Sequence, residues 1–391
     1  MSKTAYEHIV IGCGGIGSAA GYWLSRIAGK EVLVLEQFRL GHSHAASDDH
    51  SKIIRLAYHS PDYTALAPHA YIAWREVEEE SGVHLVLKTG GLDLAPGDAL
   101  GEAALEKRGT AMDRHGIPYE RLSAREVMAR WPQFRLPAGA QALYQADGGL
   151  VDTRKAIATH AALARGRGAT ILEQMPARVV RLAGDLVEVR TEESTFTTRT
   201  LIVAADAWTN TVLASLGIQW PLTVTEEQVT YFATPNLRDF APSRFPVWIW
   251  HGTDGFYGFP VYGEVATKAG QDVGGDIVTV DTRRAVPNPR PLRKLMAFLA
   301  EHIPGSLGPV LYTKPCLYTM PPDRDFIVDR LPDSPQIAVA VGAGHGAKFS
   351  CLLGRILAQL VTARETPYPI EAFRIRRAAL TDPSFYPAFR H

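Results

Sequence analysis

The chain has 391 residues, 46% hydrophobic and 21% charged, which excludes wholesale disorder and, at roughly 100–200 residues per domain, implies two or three domains. Its 41 basic and 41 acidic residues cancel, so it carries no electrostatic footprint for nucleic acid or an anionic membrane. Cys13, Cys316 and Cys351 are too few and too scattered for a disulfide framework or a zinc site, and they fit a reducing cytosol. With no leader peptide and no apolar run near about 18 residues, the expectation is a cytoplasmic protein that neither crosses a membrane nor holds a metal.

The first informative segment is His8-Ile9-Val10-Ile11, a short apolar run that ends in Gly12-Cys13-Gly14-Gly15-Ile16-Gly17. A helical stretch, 18–28, follows, then a second apolar run, Val32 to Leu35, that ends at Glu36. This order is strand, glycine turn, helix, strand, acid. Gly12 permits the tight turn, Gly14 lets backbone approach a pyrophosphate, and Gly17 lets helix and strand pack closely. The helix N-terminus offers free N–H groups to phosphates, and Glu36 can accept from a ribose diol. The motif alone does not separate FAD from NAD. Its place near the start of a long chain leans towards FAD.

Residues 61–82 read as a helix, with Leu66, Ala70, Trp74 and Val77 at helical spacing and Ser81-Gly82 as its stop. Residues 89–94 are strand-like, a charged helix runs to about 115, and 130–132 and 137–139 mark loops. Residues 151–165 are helical. Short strands then follow over 169–172, 178–181, 186–191 and 195–198, with a further apolar run over 201–205. From 221 to 314 the composition shifts to aromatics, prolines and alternating runs, which predicts a mostly β substrate domain. A buried strand over 337–341, a tight turn at 342–346 and a helix lined by Leu353, Ile356, Leu357 and Leu360 return to the first pattern. The dinucleotide domain is therefore read as discontinuous, with both chain ends in it.

Four separated motifs carry a resemblance to one family. They are the glycine turn with Glu36, Lys52-Ile53-Ile54-Arg55-Leu56-Ala57-Tyr58, Cys316-Leu317-Tyr318-Thr319 through Phe326-Ile327-Val328-Asp329, and Gly344-His345-Gly346-Ala347-Lys348-Phe349. Nearly end to end, the chain resembles the sarcosine, N-methyltryptophan and pipecolate oxidases, FAD-dependent amine oxidases. The resemblance implies an α/β (α+β) fold. A Rossmann-like FAD-binding domain of glutathione-reductase type, residues 1–85, 146–220 and 315–391, carries an inserted, mostly antiparallel β-sheet substrate domain, residues 86–145 and 221–314. It implies FAD on Gly12, Gly14, Gly15, Ile16, Gly17, Glu36, Gln37, Ser47, Lys52, Arg55, Val180, Ala205, Trp208, Cys316, Gly344, Gly346 and Lys348, with Cys316 joined to the flavin 8α carbon.

In that reading Arg55 and Lys348 hold the substrate carboxylate, Tyr257, Tyr318 and His345 line the pocket, and Lys268 activates O2. Read on their own, Arg55 also fits a surface ion pair, and Lys348 and Lys268 fit solvated lysines. Cys316 also fits a small buried hydrophobe and the tyrosines core aromatics. The implied function is oxidation of a secondary amino acid, with hydride transfer to flavin N5, imine hydrolysis and reoxidation by O2 to hydrogen peroxide. N-methyl amino acids, imino acids such as pipecolate, and iminodiacetate are candidates, and the enzyme is expected to be a monomer. The alternatives are an FAD dehydrogenase that passes electrons to a carrier, and a non-catalytic binder that keeps FAD.

The chain departs from the family pattern G-S-x-H-G-x-[ST]-R over 45–52. Asp48 replaces a histidine and Lys52 an arginine, which are not equivalent at a bidentate or stacked site. Asp272 replaces a pocket histidine. Trp248 is expected to close the pocket where Ala347 opens it.

Overall fold

The protein is described by a computed structural model that covers residues 3–387. Met1, Ser2 and 388–391, the outermost ends of the expected FAD-binding domain, lie outside the described residues. Five strands form the parallel core of one eight-stranded sheet, in the order Thr170–Leu172, Val32–Leu35, Ala5–Ile11, Thr195–Val203 and Ser334–Val341. Val32 to Leu35 are all buried, as a parallel strand covered on both faces requires. Helices Gly15–Ala28 and Ser350–Thr362 pack on one face beside helix Thr153–Gly166. The runs at 195–198 and 201–205 are one strand. Its first half pairs antiparallel with Leu186–Arg190, and its second half pairs parallel with Ser334–Val341. Arg199 and Thr200 broke the hydrophobic pattern because this strand changes neighbour at that point.

Nine strands make a second, mostly antiparallel sheet. It includes Thr223–Phe232, Val247–His251, Gly255–Phe259, Thr267–Asp272 and, from earlier in the chain, Gly91–Ala95 and Gln141–Gln145. Val310–Met320 pairs along Thr223–Phe232, so this strand lies wholly in the second sheet, across the expected return at 315. Helix Pro289–His302 interrupts the β-rich region, and its Leu295 and Leu299 are buried against the sheet. A small sheet of Lys52–Ile54, Gly149–Val151 and Val86–Lys88 bridges the two. Helix Pro61–Ser81 starts at Ser60, whose Oγ accepts the Asp62 N–H at 3.2 Å, and stops at Gly82 with φ 71°. Its Leu66, Ala70, Trp74 and Val77 are all buried. No helix among the described residues is long and apolar enough to cross a membrane.

The first strand turns into the first helix at Gly12, whose φ of 95° favours glycine. A Cβ at Gly17 would stand 2.0 Å from the Gly12 carbonyl oxygen, a backbone atom that cannot rotate away. Gly17→Ala is therefore expected to lower stability by about 1–3 kcal/mol or more, read as a fall in denaturant midpoint with an unchanged m-value.

Candidate active site

One cavity of about 1100 Å³ runs along the C-terminal edge of the parallel sheet and under the second sheet. Gly12, Gly14, Gly15, Ile16, Glu36, Gln37, Ser47, Ala205 and Trp208 line one reach of it, and Gly344 and Gly346 adjoin. Glu36 is 4% exposed. Its Oε2 accepts the Cys13 N–H at 2.7 Å and its Oε1 the Phe38 N–H at 2.9 Å. Burial pushes this carboxyl up, and those N–H groups pull it back. The Gly15 N–H donates to Ser47 Oγ at 3.0 Å, which holds the 41–51 loop over the helix start. Asp206, next to Ala205, keeps a buried Oδ2 without a hydrogen-bond partner, and burial raises its carboxyl to about 6.

A long cavity, a glycine turn without room for a Cβ and an orphaned buried acid fit a dinucleotide. Gly17 is not on the cavity wall and acts through packing. Val180 is not on the wall either. It is 1% exposed inside the hairpin, and its N–H donates to Ser215 Oγ at 2.9 Å. Ala177 and Arg178, just before the hairpin, line the cavity instead.

The far reach is a charged chamber. Arg55 Nη1 donates to Asp93 Oδ1 at 2.7 Å, and His251 Nε2 lies 2.7 Å from the same oxygen. Arg108 Nε stands 3.2 Å from it, too poorly aligned for a hydrogen bond. Burial raises the Asp93 carboxyl, but Arg55 and His251 outweigh that and hold it well below the usual carboxylate range. Lys348 is on a 3₁₀ turn, Gly346–Phe349, one step before the helix rather than in it. Burial and then Arg55 lower its ammonium to about 7. Arg55 and Lys348 both face the Tyr58 ring, 5.3 and 5.9 Å from its centre.

Tyr257, Tyr318 and His345 also line this reach. Burial raises both tyrosines and holds His345 neutral, with its Nδ1–H donated to the Ala343 carbonyl at 2.8 Å. Asp272 is on the wall, bound by Arg324 Nη2 at 2.7 Å. Trp248 is not. It is buried in the second sheet's core against Phe298, and Ile249, Trp250 and His251 line the cavity in its place.

Lys268 is 2% exposed, which excludes a solvated hairpin lysine. It stands 4.3 Å over Phe259, a cavity residue, without reaching the wall itself. Its Nζ lies 2.6 Å from Asp49 Oδ2 and donates to the Ser51 carbonyl at 2.5 Å. Tyr231 donates to the other Asp49 oxygen. Burial lowers the Lys268 ammonium to about 8 although Asp49 supports it. Cys316 is half-buried and also just off the wall; burial raises its thiol to about 11, with Lys52 acting against this. Lys52 is on the wall.

Sequence reading missed Asp49, Asp93, Arg108, Tyr231, His251 and Arg324. Two signals were present: Asp93 is a lone acid in an apolar strand, and Arg324 lies within the Cys316–Asp329 motif. Arg108, on a charged helix, carried none.

A profile described as FAD dependent oxidoreductase matches residues 7–360. A monomeric sarcosine oxidase from Streptomyces avermitilis is 33% identical, over 97% of this chain and 99% of its own. An N-methyl-L-tryptophan oxidase from Escherichia coli is 30% identical, over 95% of this chain and 99% of its own. The solved open form of NikD, described as an unusual amino acid oxidase essential for nikkomycin biosynthesis, superposes with a TM-score of 0.84 at 27% identity. It covers 95% of this chain and 98% of its own.

The Lys268–Asp49 pair is fully desolvated, so removing one partner strands a charge. Asp49→Ala should cost about 3–5 kcal/mol in chemical denaturation, and Lys268→Met in the same chain should restore most of it. An additive double mutant would mean that the two charges do not interact.

Proposed function

The chain belongs to the family of FAD-dependent oxidoreductases, and on that premise we propose that it oxidises secondary amino acids. The first sheet with its helices holds FAD, and the second sheet walls the substrate chamber. Bound FAD would take a hydride from the carbon beside the amine nitrogen at N5 and return the electrons to O2 as hydrogen peroxide. The observation that carries the reading is the meeting of Arg55 and Lys348, far apart in sequence, in one desolvated chamber beside the dinucleotide reach. Two cations there can hold a carboxylate, Arg55 bidentately. Tyr257, Tyr318 and neutral His345 shape the remaining wall and exclude water. The product imine then hydrolyses to an amine and an aldehyde or oxo acid. The names of the relatives support this substrate class and a monomeric protein, and a cytoplasmic location is part of the same reading.

Cys316 is the residue we assign to covalent attachment. Burial raises this thiol to about 11, with Glu227 and Asp49 adding to the rise, and Lys52 and Lys268 are the neighbours that work towards the thiolate that bond formation needs. Acid precipitation of the holoenzyme should leave a yellow pellet, and Cys316→Ala should release the colour.

Lys268 is assigned to oxygen, since a cation beside the flavin stabilises the developing superoxide charge. Asp49 gives the dehydrogenase reading a specific support, because it offsets that cation at 2.6 Å. Stopped-flow reoxidation decides between them. Rapid reoxidation in air, slowed on the order of a hundredfold by Lys268→Met with reduction largely retained, identifies an oxidase. Slow reoxidation of the wild type identifies a dehydrogenase.

Lys348 also sets a pH dependence. It is charged below about 7 and loses that charge above. The dissociation constant of a non-oxidisable carboxylate, methylthioacetate, should therefore rise as pH passes upward through this range. Lys348→Met should flatten the rise.

A further inference from the structure

The chamber holds more positive charge than one carboxylate can use. Arg55, Arg108, Arg324 and Lys348 line it. Among the described residues only Asp93 and Asp272 answer them, and His59, His251 and His345 are kept neutral by burial. Asp323, also on the wall, is taken by Arg377 at 2.6 Å. Glu227 is off the wall and accepts from the N–H groups of Gly274 and Gly275. Below about pH 7, where Lys348 is charged, two unit charges are therefore left over among these groups.

The guanidinium groups are under-used as well as unbalanced. Nε of Arg55 and Nε of Arg324 are buried without a hydrogen-bond partner. Arg108, 8% exposed, donates Nη1 to the Ala104 carbonyl at 2.7 Å, and its Nη2 makes no hydrogen bond among the described residues. Among the described residues the Arg324 guanidinium donates only through Nη2, to Asp272. Its backbone is left-handed at φ 60°, in a turn closed by its N–H on the Pro321 carbonyl at 2.9 Å. A glycine would sit there at least cost, so an arginine held in that conformation on a cavity wall points to a task for its side chain.

We propose that Arg108 and Arg324 form a second anion subsite in this chamber, and that the substrate is a secondary amino acid with two carboxylates. This rests on the proposed oxidase reading. The first carboxylate takes Arg55 and Lys348. The second takes the free edges of Arg108 and Arg324, and the two surplus charges are then matched. The second acid belongs either on the amine substituent, as in iminodiacetate, or on the side chain, as in N-methylaspartate. Both present the same chemistry to the two arginines.

The test is binding of sulfur analogues to the holoenzyme by calorimetry, where sulfur in place of the amine removes the reaction. Thiodiacetate, with two carboxylates, should bind on the order of tenfold to a hundredfold more tightly than methylthioacetate, with one. The ratio should collapse towards one in Arg324→Gln and in Arg108→Gln, and recover in part in Arg324→Lys. Equal binding of the two ligands to the wild type overturns the subsite, whether or not the variants fold. Steady-state oxidation of N-methylglycine, iminodiacetate and N-methylaspartate gives the second arm. Preference for either diacid supports the proposal and places its second group, whereas preference for N-methylglycine overturns it. Oxidation of no amine, with thiodiacetate still favoured in binding, sinks the oxidase reading and leaves the subsite standing.

Discussion

One carboxylate oxygen, Oδ1 of Asp93, organises the charged end of the cavity. It lies 2.7 Å from Arg55, 2.7 Å from His251 and 3.2 Å from Arg108. Each arginine alone in that chamber would carry a large desolvation cost, and a shared anion offsets both. Asp93 can do this because its strand, Gly91–Ala95, is fully buried between Val247–His251 and Gln141–Gln145. The neighbouring strand also supplies His251, so one register fixes donor and acceptor together. The placement of Arg55, and with it the reading of carboxylate capture, depends on this oxygen.

A similar logic governs the lysine behind Phe259. A buried ammonium without a partner would shed its proton. Asp49 keeps Lys268 charged to about pH 8, and Lys268, with Lys52 and the Tyr231 hydroxyl, in turn outweighs the burial that would protonate Asp49. The pair supports its own ionisation while it weakens the field that Lys268 sends outward. Oxygen reactivity therefore turns on geometry: superoxide closer to Lys268 than to Asp49 still gains from the pair.

The dinucleotide half was legible in the sequence because its signals are local. Glycine at fixed offsets, an apolar run on either side and an acid at a strand end all follow from one backbone turn. The helix over 61–81 was legible for the same reason, since its spacing repeats over several turns. The chamber was legible only where a motif named it. Asp93, Arg108 and His251 meet through strand pairing and helix packing between distant segments, and no short-range pattern encodes that. Trp248 shows the sharper limit. It was placed on the wall, and packing between the second sheet and helix Pro289–His302 buries it in the core against Phe298.

The two acids that depart from the family pattern share one physical feature. Asp48 pairs with Arg154 at 2.9 Å and with Lys314, and Asp272 with Arg324 at 2.7 Å. Each of these acids meets a base contributed by a distant segment, which random loss of a site would not arrange. The only support for a non-catalytic protein was that these positions had changed. A site decaying without function would leave buried charges stranded, at a cost in stability of several kcal/mol each. Here both of these acids are paired, and positive charge is left in surplus in the chamber where an anionic substrate would bind. The altered positions therefore read as a rebuilt pocket rather than an abandoned one.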